Sequence, residues 1–214
     1  MDGLYEGLAA AYARGMLSDA DDEAGTADLL SRAHAAGLKL HRFKRTMDLP
    51  RVRAVLGILR GIGSQSLVDF GSGRGVFVWP LLDGFPQLPV TAVERDERRL
   101  GHLEAVRRGG IKRLAVVRGD ARALPFESGH FDVATVLEVL EHQDDPLPLA
   151  REAVRLAERF VIASVPSKPD DNPEHVQLFT GETLKALLIE AGAAGVSIDY
   201  VLGHIIAVAR ARRT

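Results

Sequence analysis

The sequence predicts an α/β fold in which helices cover both faces of a doubly wound, mainly parallel sheet of seven strands. From residue 66 onward, short apolar runs alternate with longer stretches that have the apolar spacing of helices. The first run, Leu67 to Phe70, is followed by glycines at alternate positions. Such glycines are typical of a turn in which the backbone approaches a ligand closely.

The composition is that of an ordinary globular domain. A chain of 214 residues can bury a full core, and its formal net charge of -2 gives no overall reason to expect nucleic acid or an anionic membrane as a partner. Without cysteine there is no disulfide, no thiolate metal site and no cysteine nucleophile. The chain does not start with a basic segment and an apolar core, and it lacks an apolar run of about 18 residues, so we expect a cytoplasmic protein and no membrane partner.

Residues 1–62 contain no convincing strand and predict an N-terminal helical cap that is not an independent domain. Three helices are expected there. Thr26 would cap the second helix, and Pro50 fits the first turn of the third, which Gly61 and Gly63 end. We expect this cap to lie over one end of the sheet.

The charges of the cap are unevenly distributed. Residues 1–30 carry seven acidic residues against Arg14 alone, whereas residues 31–60 carry eight basic residues against Asp48. A basic surface would suit an anionic substrate or RNA. Alternatively, the charges lie on two solvated helix faces that attract each other. We favour this interpretation, because solvent-exposed helix surfaces generally carry charged residues.

Residues 63–214 form the main domain in this prediction. The candidate strands lie at 66–70, 89–94, 113–118, 131–137, 159–165, 196–201 and 205–209. Helices are expected near 75–83, 96–108, 146–158 and 181–191, the last opened by Thr180 with Thr183. Because three residues separate the last two strands, we expect them to form an antiparallel hairpin.

The glycine segment resembles a nucleotide-cofactor cradle, in which a strand, a glycine turn and a helix N-terminus meet. Glycines alone are weak evidence, since a plain strand-to-helix turn also uses them. A dinucleotide fingerprint requires G-x-G-x-x-G, but here Val76 stands where the last glycine should fall. Asp69, two residues before the first glycine, is not required by that fingerprint.

Two further carboxylates follow predicted strands. Glu94 ends the second apolar run, where a carboxylate can accept hydrogen bonds from both ribose hydroxyls. Asp96 is expected to cap the helix that begins near Glu97. Asp120 follows the third strand, where it either accepts a hydrogen bond from the exocyclic amine of adenine or forms an ordinary turn.

Four ordered motifs resemble those of class I S-adenosylmethionine-dependent methyltransferases, over about residues 64–210. The motifs are Asp69-x-Gly71-x-Gly73-x-Gly75, Glu94, Gly119-Asp120-Ala121 and Leu137-Glu138-Val139-Leu140-Glu141-His142. The resemblance implies an enzyme with a Rossmann-like fold, a last strand that is antiparallel, and S-adenosyl-L-methionine as cofactor. It places the methionine part on the Gly71–Gly75 loop, the ribose on Glu94, and the adenine on Asp120 and the Ala121 backbone. The implied cofactor-binding set is Asp69, Phe70, Gly71, Ser72, Gly73, Gly75, Glu94, Arg95, Asp120, Ala121 and Leu137.

Within that superfamily, three segments are similar to the broad group called type 11, which includes ubiquinone-pathway O-methyltransferases. They are the Leu137–His142 run, Ser164-Val165-Pro166, and Glu174 to Thr180. The Asn/Asp-Pro-Pro-aromatic motif of amino-directed DNA and protein methyltransferases is missing, and the lack of cysteine excludes the covalent cytosine-C5 mechanism. These features favour methylation of a small molecule, at oxygen.

Glu138, Glu141 and His142 would share one face if the chain turned into a helix after the fourth strand. Together with His175 they resemble the two-Glu, two-His magnesium or manganese site of small-RNA 3′-end 2′-O-methyltransferases. A metal there would lower the pKa of a hydroxyl. Many type 11 proteins carry a Glu-His pair here without an established metal, so we assign no metal and expect His142 to be the catalytic base.

Several alternatives stay open on the sequence alone. The chain is a small-molecule methyltransferase, a metal-assisted RNA ribose methyltransferase, or a cofactor-binding module without turnover; the glycine spacing disfavours a nicotinamide dehydrogenase. We expect the other histidines, including His102, His130 and His204, to be surface or structurally satisfied residues. Phe77 and Trp79 are expected to pack between helix and sheet. The acceptor and the oligomeric state are not determined by these patterns.

Overall fold

The computed structural model describes residues 3–17, 25–169 and 171–212. The helices of these residues are α1 (Glu6–Met16), α2 (Thr26–Ala35), α3 (Pro50–Ile62), α4 (Val78–Gly84), α5 (Glu97–Arg108), α6 (Leu147–Leu156) and α7 (Gly181–Glu190). The strands are β1 (Leu67–Phe70), β2 (Val90–Glu94), β3 (Leu114–Arg118), β4 (Phe131–Leu137), β5 (Ala157–Pro166), β6 (Gly195–Val201) and β7 (His204–Arg210). Short 3₁₀ turns lie at Leu40–Phe43 and Leu140–His142.

The described strands form one sheet with the order β3-β2-β1-β4-β5-β7-β6. Neighbouring strands are parallel from β3 to β5, whereas β7 runs antiparallel to both β5 and β6. The prediction of a doubly wound α/β sheet with an antiparallel last strand is therefore confirmed. The carboxyl ends of β1, β2, β3 and β4 meet at one edge, and the predicted site residues follow those ends.

The N-terminal helices are confirmed, and they cover one face of the sheet and not just one end. Val52, Val55 and Leu56 of α3 are buried in the same core as Leu67 of β1 and Val133 of β4. A second core on the opposite face holds α6 and α7. The cap helices thus form a packed layer, because each helix has an apolar stripe that must be buried against another part of the protein.

Helix α1 packs on α5 at very short range. A Cβ atom added to Gly15 would overlap the main chain of Ala105, and one added to Gly109 would overlap the main chain of Ala11. The two helices therefore approach through glycine, which has no side chain to hold the backbones apart. Gly15 lies in the last turn of α1, and residues 18–24 are outside the described residues.

Most predicted helix ends are confirmed. Pro50 begins α3, Gly63 follows it in the left-handed conformation, and Asp96 accepts a hydrogen bond from the Arg99 N–H. Thr180 and Thr183 form a reciprocal capping box at α7. The prediction for Thr26 is wrong, because α2 starts at Thr26 itself, with Gly25 at the N-cap and no side-chain cap.

The helix after the glycine segment begins later than predicted. Helix α4 starts at Val78 and has 7 residues, whereas the turn-forming glycines extend to Gly75, which has φ 83°. The indole Nε1 of Trp79 donates a hydrogen bond to the Arg74 carbonyl, and its ring packs on Phe43 with centroids 5.0 Å apart. Trp79 therefore packs as predicted, but a helix N-terminus does not directly follow the glycine turn.

Within the residues that the structure describes, none of the helices combines the length and apolar character needed to cross a membrane.

Candidate active site

The glycine segment crosses the end of β1 in a conformation that requires glycine. Gly71, Gly73 and Gly75 have φ of 68°, 57° and 83°, in the left-handed region. A Cβ at Gly71 would lie 2.9 Å from Val139 Cγ2, and one at Gly75 would overlap the ring of Trp79. The loop therefore needs glycine both for its backbone conformation and for its close packing against Val139 and Trp79.

Asp69 lies under this loop and is 3% exposed. Its Oδ1 accepts a hydrogen bond from Thr135 Oγ1 at 2.7 Å. Burial raises the pKa of Asp69 from 3.8 to about 6, although the hydrogen bond from Thr135 acts in the opposite direction. The carboxylate is thus held at an energetic cost, which a nearby cationic group of a ligand would relieve.

Glu94, the last residue of β2, is hydrogen-bonded to the glycine segment. Its Oε2 accepts from the Gly73 N–H at 2.7 Å, and its Oε1 accepts from the N–H groups of Arg95 and Asp96 at 2.9 Å. The side chain is almost fully buried. Each carboxylate oxygen has two acceptor positions, so Oε2 retains one for a hydroxyl group.

Asp120 follows β3 at the same edge and is exposed. Arg122 donates to it from its main-chain N–H at 2.9 Å and from its guanidinium, with Nη2 at 2.6 Å from Oδ2. These hydrogen bonds lower the pKa of Asp120 to about 2. Solvent screens an exposed pair of this kind, so adenine can compete with Arg122 for the carboxylate. Adenine binding by Asp120 and Ala121 stays a prediction.

The loop after Asp120 is hydrogen-bonded to two side chains of α6. Glu152 Oε1 accepts from the Leu124 N–H at 2.6 Å, while Arg155 donates to the carbonyls of Phe126 and Leu124 at 2.7 and 3.2 Å. Glu152 and Arg155 also pair with each other. Local sequence does not predict these contacts, because they join two segments that are brought together only by the sheet.

A cavity of about 160 Å³ opens between the glycine segment, the end of β4 and the cap. Arg51 and Val52 of α3 line it, as do Asp69, Leu137 and Glu138. The Leu137 position in the predicted cofactor set is therefore next to the glycine loop. Arg51 was missed as a site residue, although it is one of the basic residues counted in the cap.

Glu138 is the only residue other than glycine with positive φ among the residues that the structure describes, at φ 58°. Its Oε1 accepts from Ser164 Oγ at 2.7 Å, and its Oε2 lies 3.0 Å from His204 Nε2 and 3.8 Å from Arg51 Nε. Burial raises the pKa of Glu138, but the hydrogen bonds from His204 and Ser164 outweigh it, and the pKa is lowered. Positive φ in such a residue costs free energy, which these contacts offset.

His204, the first residue of β7, is a structurally satisfied residue, which is one of the two outcomes expected for it. Its Nε2 faces Glu138 and its Nδ1 faces the Leu202 carbonyl at 3.2 Å, so both ring nitrogens meet acceptors. The hydrogen bond to Glu138 raises the pKa of His204. The protonated imidazolium is therefore the form that suits this position.

The fold divides the four residues that resemble a metal site. Glu141, His142 and His175 offer ligand atoms that all lie within 4.8 Å of one another. Glu138 points elsewhere, to Ser164 and His204, because the backbone turns at positive φ and then enters a 3₁₀ turn, not a regular helix. The condition for Glu138 to share a face with Glu141 and His142, a helix directly after the fourth strand, is therefore not met.

His142 Nδ1 lies 2.8 Å from the Glu174 carbonyl oxygen, and its ring meets that of His175 edge-on at 4.8 Å between centroids. A carbonyl can only accept, so the neutral imidazole carries its proton on Nδ1. The Nε2 atom then has a free lone pair, which can accept a proton or bind a metal ion.

Residues 68–159 match the family model for a methyltransferase domain. The chain is 32% identical over 110 residues to the ubiquinone/menaquinone biosynthesis C-methyltransferase UbiE of Paracoccus denitrificans, covering 49% of this chain and 44% of that protein. It is 33% identical over 108 residues to the ribosomal RNA small subunit methyltransferase G of Stenotrophomonas maltophilia, and this match covers 45% of this chain and 50% of that protein. The chain thus spans about half the length of these curated relatives.

Among solved structures, the N-terminal domain of EvdMO1 with SAH bound is similar, with a TM-score of 0.60 and 19% identity over 78% of this chain and 82% of that one. Residues 68–159 are thus similar to a methyltransferase domain, and the fold of the chain is that of a solved structure that has SAH bound.

The residues fit S-adenosylmethionine as the cofactor. Gly71 and Gly73 line the cavity and have no side chains that would fill it. Glu94 keeps an acceptor position at the end of β2, where a ribose hydroxyl could donate. The adjoining cavity contains both arginine and carboxylate side chains, as a zwitterionic amino-acid group requires.

Proposed function

We propose that this protein transfers a methyl group from S-adenosylmethionine to an oxygen atom of a small molecule. The observation that supports transfer to oxygen is the contact between His142 Nδ1 and the Glu174 carbonyl, which leaves Nε2 as a proton acceptor. A hydroxyl group must lose its proton to become a good nucleophile, so a base is needed there. The cofactor-binding set given by the sequence resemblance is part of this proposal.

When bound, the cofactor would supply a methyl group on a sulfonium, and its sulfur would leave as a neutral thioether that needs no acid. The chain then has to align the acceptor and exclude water, and such positioning can contribute about 7–11 kcal/mol. In this proposal Glu94 and the glycine loop fix the cofactor, while Nε2 of His142 takes the proton of the acceptor. The cap and the 166–178 segment would limit the size of the acceptor.

A His142→Gln variant tests the base. We expect its S-adenosylhomocysteine affinity to stay within about twofold, while turnover of a hydroxyl acceptor falls by about 10²–10⁴-fold. Radiolabelled methyl transfer to a panel of phenols and alcohols measures this. His34→Gln, in the last turn of α2, is the matched control and should retain full turnover. Unchanged turnover in His142→Gln would contradict the proposed role.

Cofactor binding is tested separately from turnover. Asp69→Ala and Gly73→Val should abolish S-adenosylhomocysteine binding, the first by removing a buried carboxylate and the second by forcing a side chain into a left-handed position. A thermal-shift comparison with NADH distinguishes the cofactor class. Unimpaired S-adenosylhomocysteine binding in both variants, or a shift with NADH alone, would overturn the proposal.

A second candidate function is metal-assisted methylation of an RNA ribose, and the observation that favours it is the Glu141, His142 and His175 cluster. Carboxylate and imidazole ligands suit a divalent ion, which would lower the pKa of a ribose hydroxyl. One relative with about half-length coverage is a ribosomal RNA methyltransferase. Glu138 is not part of this version of the site.

The cap offers less support for RNA than its composition suggested. Several of its cations contact the protein itself: Arg32 pairs with Asp28, Arg45 with Asp83, and Arg42 lies over the Tyr12 ring. Of the acidic residues counted in 1–30, Asp2, Asp19, Asp21, Asp22 and Glu23 lie outside the described residues. The predicted attraction between acidic and basic helix faces therefore stays a prediction.

The RNA alternative requires Mn²⁺ binding that is lost in His175→Ala, methyl transfer that a chelator stops, and RNA affinity that falls steeply with salt. Full activity in chelator would exclude it. A cofactor-binding module without turnover is the third possibility, and methyl transfer to any acceptor would exclude it. A cytoplasmic location stays a prediction.

A further inference from the structure

A second cavity, of about 180 Å³, lies beside the proposed base and is not used by the proposed cofactor. Two segments line it: Pro166, Lys168 and Pro169 at the carboxyl end of β5, and residues 175–178. Among the described residues, it shares no lining side chain with the cavity beside the glycine loop. Ligands of open α/β sheets bind at the carboxyl ends of the strands, so this cavity is well placed for the second substrate.

His175 connects this cavity to the proposed base. Its side chain lines the cavity, and its ring meets the His142 ring edge-on with 4.8 Å between centroids. The segment after His175 is also fixed to the 3₁₀ turn of the base. The Glu141 carbonyl accepts from the N–H groups of Val176 and Gln177 at 2.9 and 3.3 Å. A ligand in the cavity would therefore be separated from His142 by one imidazole ring.

Most of the cavity wall is apolar. Val176 and Leu178 are 54% and 50% exposed, and they line the cavity together with two prolines. Single exposed apolar side chains are common on protein surfaces, but a group of them around one cavity is typical of a binding site. An aromatic ring or a short alkyl chain would cover these side chains, whereas a phosphate or a sugar would leave them in water. The wall therefore favours a small acceptor with an apolar body over an RNA backbone.

Lys168 contributes the charge of this cavity. Among the lining residues that the structure describes, no other has an ammonium, guanidinium or carboxylate group. Asp171 and Glu174 are carboxylates of the same region of the chain, but they are exposed and do not line the cavity. An ammonium group beside an apolar wall is complementary to a ligand that carries a carboxylate on an apolar body.

We propose that the cavity lined by residues 166–169 and 175–178 binds the methyl acceptor, and that this acceptor is a small hydroxy acid. Its carboxylate would accept from the Lys168 ammonium, and its hydroxyl group would donate to His142 Nε2. The inference rests on the proposed methyl transfer to oxygen and names the substrate class. The hydroxyl oxygen forms its bond to the methyl carbon as the carbon–sulfur bond breaks, while the hydroxyl proton passes to His142. The carboxylate does not react.

The test begins with two matched acceptors, para-hydroxyphenylacetate and its uncharged amide, para-hydroxyphenylacetamide. Both have the same phenol, so a difference between them reports on the charge. We expect the wild-type protein to prefer the acid by about 5–10-fold in kcat/KM, through KM, since an exposed ammonium contributes modestly. The preference should fall as salt is added. Homologous acids and amides with shorter and longer linkers measure the distance from Lys168 to the base.

A Lys168→Met variant should reduce the preference for the acid to less than about twofold and leave turnover of the amide nearly unchanged. Lys185→Met, at an exposed position of α7, is the matched control and should keep the full preference. Leu178→Ser should raise KM for the acid and the amide alike, because it removes part of the apolar wall. Turnover of the amide by Lys168→Met shows that this variant is folded.

Calorimetry of each acid with the S-adenosylhomocysteine complex separates acceptor binding from turnover. A preference for the acid that persists in Lys168→Met, or an amide that binds more tightly throughout the series, would overturn the inference. An oligoribonucleotide that displaces the acid and needs Lys168 would also overturn it, because the cavity would then bind phosphate. If the acid binds through Lys168 but no methyl group is transferred, the proposed function fails and the cavity assignment stands. Methyl transfer to uncharged phenols alone would give the reverse result.

Discussion

Asp69 is a residue of the candidate site whose buried carboxylate lowers the stability of the folded state. Its carboxylate is buried under the glycine loop, with Thr135 as its side-chain donor. Burial of a charge without a full ion pair destabilises the folded state. A carboxylate in this position is useful when a cationic group binds beside it, and the ammonium of the proposed cofactor is such a group.

An Asp69→Asn variant tests this cost. Because the folded pKa of about 6 lies above 3.8, the group favours folding most below pH 3.8, and this contribution is lost as pH rises through 6. The shift corresponds to about 3 kcal/mol, at about 1.4 kcal/mol for each tenfold change in the dissociation constant. We therefore expect Asp69→Asn to be more stable than wild type at pH 8, by up to about 3 kcal/mol, and similar to it near pH 4. Urea unfolding at several pH values measures this.

Asp120→Asn is the control for that experiment. Hydrogen bonds from Arg122 lower the pKa of Asp120, so its contribution has the opposite sign and is present above pH 3.8. This variant should not be more stable than wild type at pH 8. Parallel pH profiles for wild type and Asp69→Asn would show that the buried carboxylate carries no such cost.

At the scale of elements, the contact between α1 and α5 fixes the first part of the cap to the sheet domain. Gly15 and Gly109 allow the two backbones to meet, and Tyr12 packs its ring 5.2 Å from Phe43. Helix α3 then brings Arg51 to the cavity. The cap is therefore positioned by packing that begins well away from the site.

A Gly15→Ala variant should destabilise the protein by about 1–3 kcal/mol, because its Cβ would overlap the main chain of Ala105 and force α1 away from α5. Gly7→Ala is the matched control in the same helix, since nothing lies within 4 Å of its added Cβ. It should be neutral or stabilising by about 0.5–1 kcal/mol, as expected for glycine replaced by alanine in a helix. Equal unfolding midpoints for both variants would contradict the close approach.

On the scale of the whole molecule, the proposed site joins the two layers of the fold. The sheet supplies Asp69 and Glu94 at strand ends, and the cap supplies Arg51 from the helical layer on one face. Ser164 and His204 reach Glu138 from β5 and β7. Cofactor binding should therefore stabilise the cap and the sheet together.

Hydrogen exchange tests this coupling. Saturating S-adenosylhomocysteine, at about 100 times its dissociation constant, should add about 2.7 kcal/mol to the free energy of unfolding. Exchange should slow both in residues 71–77 and in residues 46–56. 5′-Methylthioadenosine, which lacks the amino-acid group of S-adenosylhomocysteine, should protect residues 46–56 less. Protection confined to the glycine segment with both ligands would contradict a shared site.

The sequence by itself determined the features that depend on neighbouring residues. The alternation of apolar runs predicts the strands, the alternate glycines predict the open turn after β1, and Asp96 and Thr180 predict helix starts. These are local because backbone conformation and capping depend on residues within a few positions. The order of the cofactor motifs is also in the sequence, since parallel strands bring their carboxyl ends to one edge.

Only the tertiary structure decided which distant side chains meet. Apolar periodicity indicates that α3 and β7 are buried, but it does not indicate that Arg51 and His204 both approach Glu138. The same packing separates Glu138 from Glu141 and His142, which the sequence had grouped by spacing. The physical reason is that these contacts depend on how the helical layers pack on the sheet and on the positive φ of Glu138. The spacing of residue types along the chain predicts neither.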